Sequence, residues 1–250
     1  MGECDAPSYH VMQKLCRDRR FKVRVSMALH SIFGKPYSKE DNDHFMKLGF
    51  MTGLDDEAVE FMAEGYEKAF ARSADPEAFR NRRHRIEHAS LCDQDLIDRM
   101  VKMNLCPSVN AGMVQMLGAS YMKFFGERFH YIGALRSMLD AGLIPSLHSD
   151  APSGPVGLQA IDGCVNRIDR VKNIQCPTTQ AVTALEAIRV ATYNGAYSTH
   201  EEDSKGSIEV GKLADLIVLS DDILAIPPKE IYQLKVDLTM IDGEVVYLRR

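Results

Sequence analysis

Arg83-His84-Arg85-Ile86-Glu87-His88-Ala89 and, farther on, Leu143-Ile144-Pro145-Ser146-Leu147-His148-Ser149-Asp150-Ala151-Pro152 each carry a short apolar run that ends on groups able to bind a metal or move a proton. Around them the elements alternate. Asp93 is placed to cap a helix running to Met103, and Leu105 to Val109 reads as a strand. A helix over Tyr131 to Ala141 stops at Gly142, and Leu143 to His148 reads as a further strand. From residue 84 onward the order is strand, helix, strand, helix, strand. That alternation argues for parallel strands joined by right-handed crossovers.

Upstream, Asp5 can cap a helix from about Ala6 to Arg19, and Phe21 to Leu29 alternates as a strand with one wet face. Ser31 to Gly53 is expected to be irregular. Asp55 or Asp56 opens a helix through about Ser73, with Ala58, Val59, Phe61, Met62, Tyr66, Ala69 and Phe70 as its buried stripe. Downstream, Thr183-Ala184-Leu185-Glu186 is a capping box opening a helix to about Tyr197. Ala214 to Leu219 then reads as β. Val236 to Ile241 and Glu244 to Leu248 flank Asp242-Gly243, a hairpin signal. A small β module is therefore expected after the α/β part.

Composition bounds the function classes. Hydrophobic residues make up 45% of 250 positions, enough for a real core. Net charge is −5, and no basic run interleaves with aromatics, so nucleic acid is not an expected partner. Arg80, Arg82, Arg83 and Arg85 read as a solvated connection. No apolar stretch reaches about 18 residues, so no membrane span is expected. Cys4, Cys16, Cys92, Cys106, Cys164 and Cys176 are scattered, with no C-x-x-C pair. Reduced thiols in a cytoplasmic protein fit that pattern.

His88 closes a strand in a strand–loop–helix unit, and in parallel α/β folds ligands collect at strand carboxyl ends. A neutral imidazole there is a good zinc ligand, although a lone histidine is more often structural. Glu87 should point to the opposite side of the strand, as a carboxylate paired with Arg83 or Arg85. Asp150 follows the next strand end, and Ala151-Pro152 turns the chain away behind it. A carboxylate there can bind a metal and take a proton, or serve as an Asx-turn. His148 and Ser149 are candidate substrate contacts.

Taken with Leu135-Arg136-Ser137-Met138-Leu139-Asp140-Ala141-Gly142, Thr192-Tyr193-Asn194-Gly195-Ala196-Tyr197 and Lys205-Gly206-Ser207-Ile208-Glu209-Val210-Gly211-Lys212-Leu213-Ala214-Asp215-Leu216, these stretches resemble the amidohydrolase superfamily, in its D-aminoacylase-like branch, amidohydrolase family 3. The likeness runs from about residue 55 to 250. It implies a (β/α)8 TIM-type barrel with a small β-sandwich, and a divalent ion, zinc foremost, that activates water against a C–N bond of a small amide-type substrate. It makes His88 the metal ligand after the sixth barrel strand. Asp150 becomes metal ligand and general base after the eighth.

The family's His-x-His is absent, since no two histidines lie two apart. Neither its bridging lysine nor its fifth-strand His-Ala-x-Gly-Asp is found. Met51-Thr52-Gly53-Leu54-Asp55-Asp56 resembles a junction from which two strands are deleted. The expected architecture is thus α/β: an incomplete barrel over residues 1–195, then a C-terminal β-sandwich portion over 196–250. Exposed strand edges would favour a homo-oligomer. Three readings of function follow: a metal-dependent amidohydrolase, a non-catalytic fragment or interaction module, and a metal-free enzyme using Asp150 and His148 as an acid–base pair.

Overall fold

The computed structural model describes residues 3–4, 28–29, 50–52, 56–150 and 154–250. The expected helix over 6–19 and most of the expected strand over 21–29 lie outside them. β1 (Glu3–Cys4) pairs in parallel with β2 (Ala28–Leu29). β3 (Phe50–Thr52) is a short strand inside a segment expected to be irregular. Then come α1 (Asp56–Ala71), α2 (Pro76–Asn81), β4 (Arg85–His88), α3 (Gln94–Met103) and β5 (Cys106–Val109). α4 (Val114–Phe125), α5 (Leu135–Asp140), β6 (Ser146–Leu147) and α6 (Leu158–Asn166) follow.

Strands β3, β4, β5 and β6 form one parallel sheet in chain order. A strand order that never reverses is the winding of a barrel wall, not of a doubly wound open sheet. The caps read from sequence, Asp93 and Gly142, are in place. Asp93 accepts from the Leu96 amide at 3.0 Å. Asn104, not read from sequence, ends α3 in the left-handed conformation. Gly142 sits at φ +83 after α5, with the Leu143 amide donating to the Met138 carbonyl at 3.0 Å.

The core lies between the sheet and its helices. Ile86, Leu105 and Val109 meet Met62, Tyr66, Ile97, Met100, Leu135 and Met138, all buried. Each such side chain contributes about 1.5–3 kcal/mol on burial. The Tyr66 hydroxyl donates to the Arg85 carbonyl at 3.0 Å, tying α1 to β4. Burial pushes its phenol above the ordinary tyrosine range.

Three expected boundaries move. The helix expected over Tyr131 to Ala141 starts only at Leu135, because Gly126–Tyr131 is a 3-10 turn and Gly133 sits at φ +55. The strand expected over Leu143 to His148 shrinks to Ser146–Leu147, since Pro145 cannot donate to a ladder. The helix opened by Thr183 is α7 (Ala184–Ala191), separated at Thr192 from α8 (Tyr193–Tyr197). Thr192 leaves the helical region (φ −120, ψ −86), and its hydroxyl donates to the Ile188 carbonyl. A small antiparallel pair, β7 (Ile168–Asp169) and β8 (Ile174–Gln175), precedes them.

The C-terminal module is an antiparallel sheet of β9 (Leu216–Leu219), β10 (Val236–Ile241) and β11 (Glu244–Leu248), in the order β11-β10-β9. Asp242 and Gly243 both have positive φ, +55 and +81, as a two-residue type I′ hairpin requires. No helix among the described residues is long and apolar enough to cross a membrane.

Candidate active site

Strand β4 alternates until its last residue. Ile86 points into the helix-side core, while Arg85 and Glu87 share the other face and pair with each other. At His88 the backbone turns left-handed (φ +67), and the Ala89 amide donates to the Glu87 carbonyl at 3.0 Å. This i to i+2 bond with a positive central φ is a γ-turn of the rarer, strained hand. His88 therefore leaves the strict alternation, and its ring joins Arg85 and Glu87 around one cavity. The sequence expectation that Glu87 faces away from the site is corrected: the turn swings His88 to Glu87's side.

The next strands complete the rim. Ser108 on β5 and Ser146 on β6 line the same cavity, whose volume is about 480 Å³. The pairing of β5 with β6 continues one residue, through the His148 amide donating to the Val109 carbonyl at 3.2 Å. That bond sets the His148 ring edge-on to His88, with centroids 4.6 Å apart and planes at 86°. Asp150 lies two residues beyond and is also left-handed, at φ +56. The structure thus brings His88, His148, Ser149 and Asp150, all named from sequence, to one cavity. Burial, then the neighbouring His88 ring, pushes the His148 imidazole down to about 3, so it is neutral at ordinary pH. Its Nε2 is buried without a hydrogen-bond partner. The Tyr121 phenol is raised by burial and then by the charge of the Asp150 carboxylate.

The far wall comes from the end of the chain. Gly195, Thr199, Lys205 and Asp215 line the cavity, with Lys205 held by Glu201 at 2.7 Å. The buried Asn194 amide donates to the Pro145 carbonyl at 2.8 Å and fixes α8 against the approach to β6. Sequence reasoning missed Arg85, Glu87, Ser108 and Ser146 as lining groups. Alternation away from Ile86 was the signal for the first two. The arginine cluster is not uniformly solvated either. Arg83 bonds Glu202 at 2.6 Å and the Tyr197 carbonyl at 2.8 Å, and stacks on the Tyr197 ring. Among the described residues, no group of three or more His, Cys, Asp or Glu side chains is arranged to hold a metal ion.

Residues 51–247 match the family model for the amidohydrolase family. The chain belongs to the amidohydrolase family. It is 30% identical over 208 residues to N-substituted formamide deformylase of Arthrobacter pascens, covering 81% of this chain and 38% of that protein. It is 30% identical over 173 residues to the putative amidohydrolase YtcJ of Bacillus subtilis strain 168, covering 67% of this chain and 33% of that one. The chain therefore spans about a third of the length of these curated relatives. An uncharacterized metal-dependent hydrolase from Pyrococcus furiosus superposes with a TM-score of 0.62 at 19% identity, over 85% of this chain and 53% of that one. That likeness shows the fold, the TIM-barrel type of the amidohydrolases. As a family member, this amidohydrolase chain carries its cavity where barrel enzymes carry theirs, at the carboxyl ends of parallel strands.

Proposed function

We propose that this chain is a portion of a metal-dependent hydrolase of non-peptide C–N bonds, with a small amide-type molecule as its substrate. The observation that carries this reading is the convergence of His88 and Asp150. They come from two strand ends, each through a left-handed residue, onto one cavity. Imidazole and carboxylate are the donor types zinc takes, so these residues fit one side of a zinc site. When bound, such an ion would supply water activated for attack on the substrate carbonyl carbon.

The γ-turn at His88 presents its side chain to the cavity. Asp150 takes the proton that the attacking water gives up and returns it to the departing nitrogen. The neutral His148 offers Nε2 to the substrate, with Ser149 beside it. We divide the chain into barrel portion 1–195 and β-sandwich portion 196–250. We also read the junction at about Gly53 to Asp56 as the place where two barrel strands are missing. β3 pairs directly with β4, and only α1 and α2 lie between them. Buried, unpaired Cys92, Cys106, Cys164 and Cys176 fit a reducing cytoplasmic setting.

One observation favours a second reading, a non-catalytic fragment or interaction module. A catalytic zinc takes about three protein ligands, and no such trio occurs among the described residues. Metal analysis of the purified chain decides between the two. About one zinc per chain, lost in His88→Ala, supports the hydrolase. No zinc, and no change on that substitution, supports the fragment.

A further inference from the structure

Strand β11 is one of the two outer strands of its sheet among the described residues. Val245, Val246, Tyr247 and Leu248 stand 52, 41, 49 and 63% exposed. Proteins usually blunt such an edge with lysine, proline or a covering loop. Here four apolar residues run consecutively along it. A bulge between Thr239 and Met240 on the pairing with β10 places Val245 and Leu248 on one face. Met240, Leu238, Val218 and Leu216 share that face through the ladder.

We propose that two copies of this chain join through β11, antiparallel about a two-fold axis between Val246 and Tyr247, into one continuous sheet. Two features on the strand select a second copy as the occupant. In that register Val245 lies opposite Leu248 of the partner subunit, so the apolar face runs unbroken across the axis. In the same register Glu244 lies opposite Arg249 of the partner subunit, an opposite-charge pair at each end that adds to the bond Arg249 already makes to Asp237 of its own β10 at 2.6 Å. A two-fold pairing of this kind closes on itself and leaves no further β11 edge for growth. The inference does not depend on the hydrolase reading.

The test is the mass of the full chain by light scattering across a concentration series. A species at twice 28.0 kDa is expected. Val246→Lys should return it to monomer, with the far-ultraviolet spectrum unchanged. Glu244→Arg sits exposed at the hairpin end, and an unchanged far-ultraviolet spectrum checks that the fold is kept. It should weaken the dimer about tenfold by setting like charges face to face, which corresponds to about 1.4 kcal/mol. A monomer at every concentration overturns the proposal, as does a dimer whose strength neither substitution changes.

Discussion

Asp162 is a fully buried carboxylate outside the cavity. It lies on α6 and accepts four hydrogen bonds: from Gln115 Nε2 at 2.8 Å, Asn166 Nδ2 at 2.8 Å, and Arg170 Nε and Nη2 at 3.0 and 2.7 Å. The same partners reach onward. Asn166 donates to the Pro228 carbonyl at 2.7 Å, and Arg170 lies over the Tyr232 ring at 4.0 Å. Asp162 thus organises the join between α6 and the 3-10 turn Pro228–Gln233 that leads into β10. In Asp162→Ala, Arg170 is exposed enough to recover water, which discounts its share. Gln115 is buried and is left with an unpaired amide, costing about 1–3 kcal/mol. With the loss of a buried ionic partner, we expect about 3 kcal/mol of destabilisation. For a chain of this size that is a fall of about 6–12 °C in Tm. Asp162→Asn keeps an acceptor and should cost less. Thermal and urea denaturation at pH 7 measure both. A cost below about 0.5 kcal/mol for Asp162→Ala, or equal costs for the two variants, would refute the argument.

Gly163→Ala should destabilise by about 1–3 kcal/mol in urea unfolding, because a Cβ there would lie 2.5 Å from the Gly112 carbonyl oxygen and 2.9 Å from its Cα, with no side chain able to yield. Thr183→Ala should cost about 1 kcal/mol at pH 7 through loss of the α7 capping box. The part of that cost that comes from the Thr183 hydroxyl donating to the Glu186 carboxylate at 2.9 Å should shrink at low pH. The Thr183 amide, then Arg136, and also the Thr183 hydroxyl hold the Glu186 carboxyl below the usual carboxylate value. Its contribution is therefore present above the unfolded value and is lost as pH falls through the lowered one. Paired melts of wild type and variant at pH 7 and pH 3 check the sign.

How much could be read from sequence depended on whether a signal was local. Asp93, Gly142, the Thr183–Glu186 box and Asp242-Gly243 each act within four residues, and each marks the boundary it promised. Helices α4 and α6 went unread. Val114–Phe125 is apolar around most of its circumference, and Leu158–Asn166 packs through Gly163 against Gly112, a contact from far off in the chain. That His88, His148, Ser149 and Asp150 gather at one cavity was legible because they stand at or just past strand ends. Arg85 and Glu87 were not, because an arginine cluster looks solvated until the strand's alternation assigns its faces. The γ-turn at His88 had no sequence signal at all, since histidine tolerates a positive φ without requiring it.

That turn makes position 88 a filter on its own substitutions. A β-branched replacement would resist φ +67, straighten the strand end and withdraw whatever side chain it carries, so loss of a ligand and loss of a bend would be confounded. Asparagine and glycine accept the left-handed backbone. Asparagine keeps a neutral polar group at the rim and glycine keeps none. A scan at this one residue can therefore separate the chemistry of the imidazole from the shape that presents it.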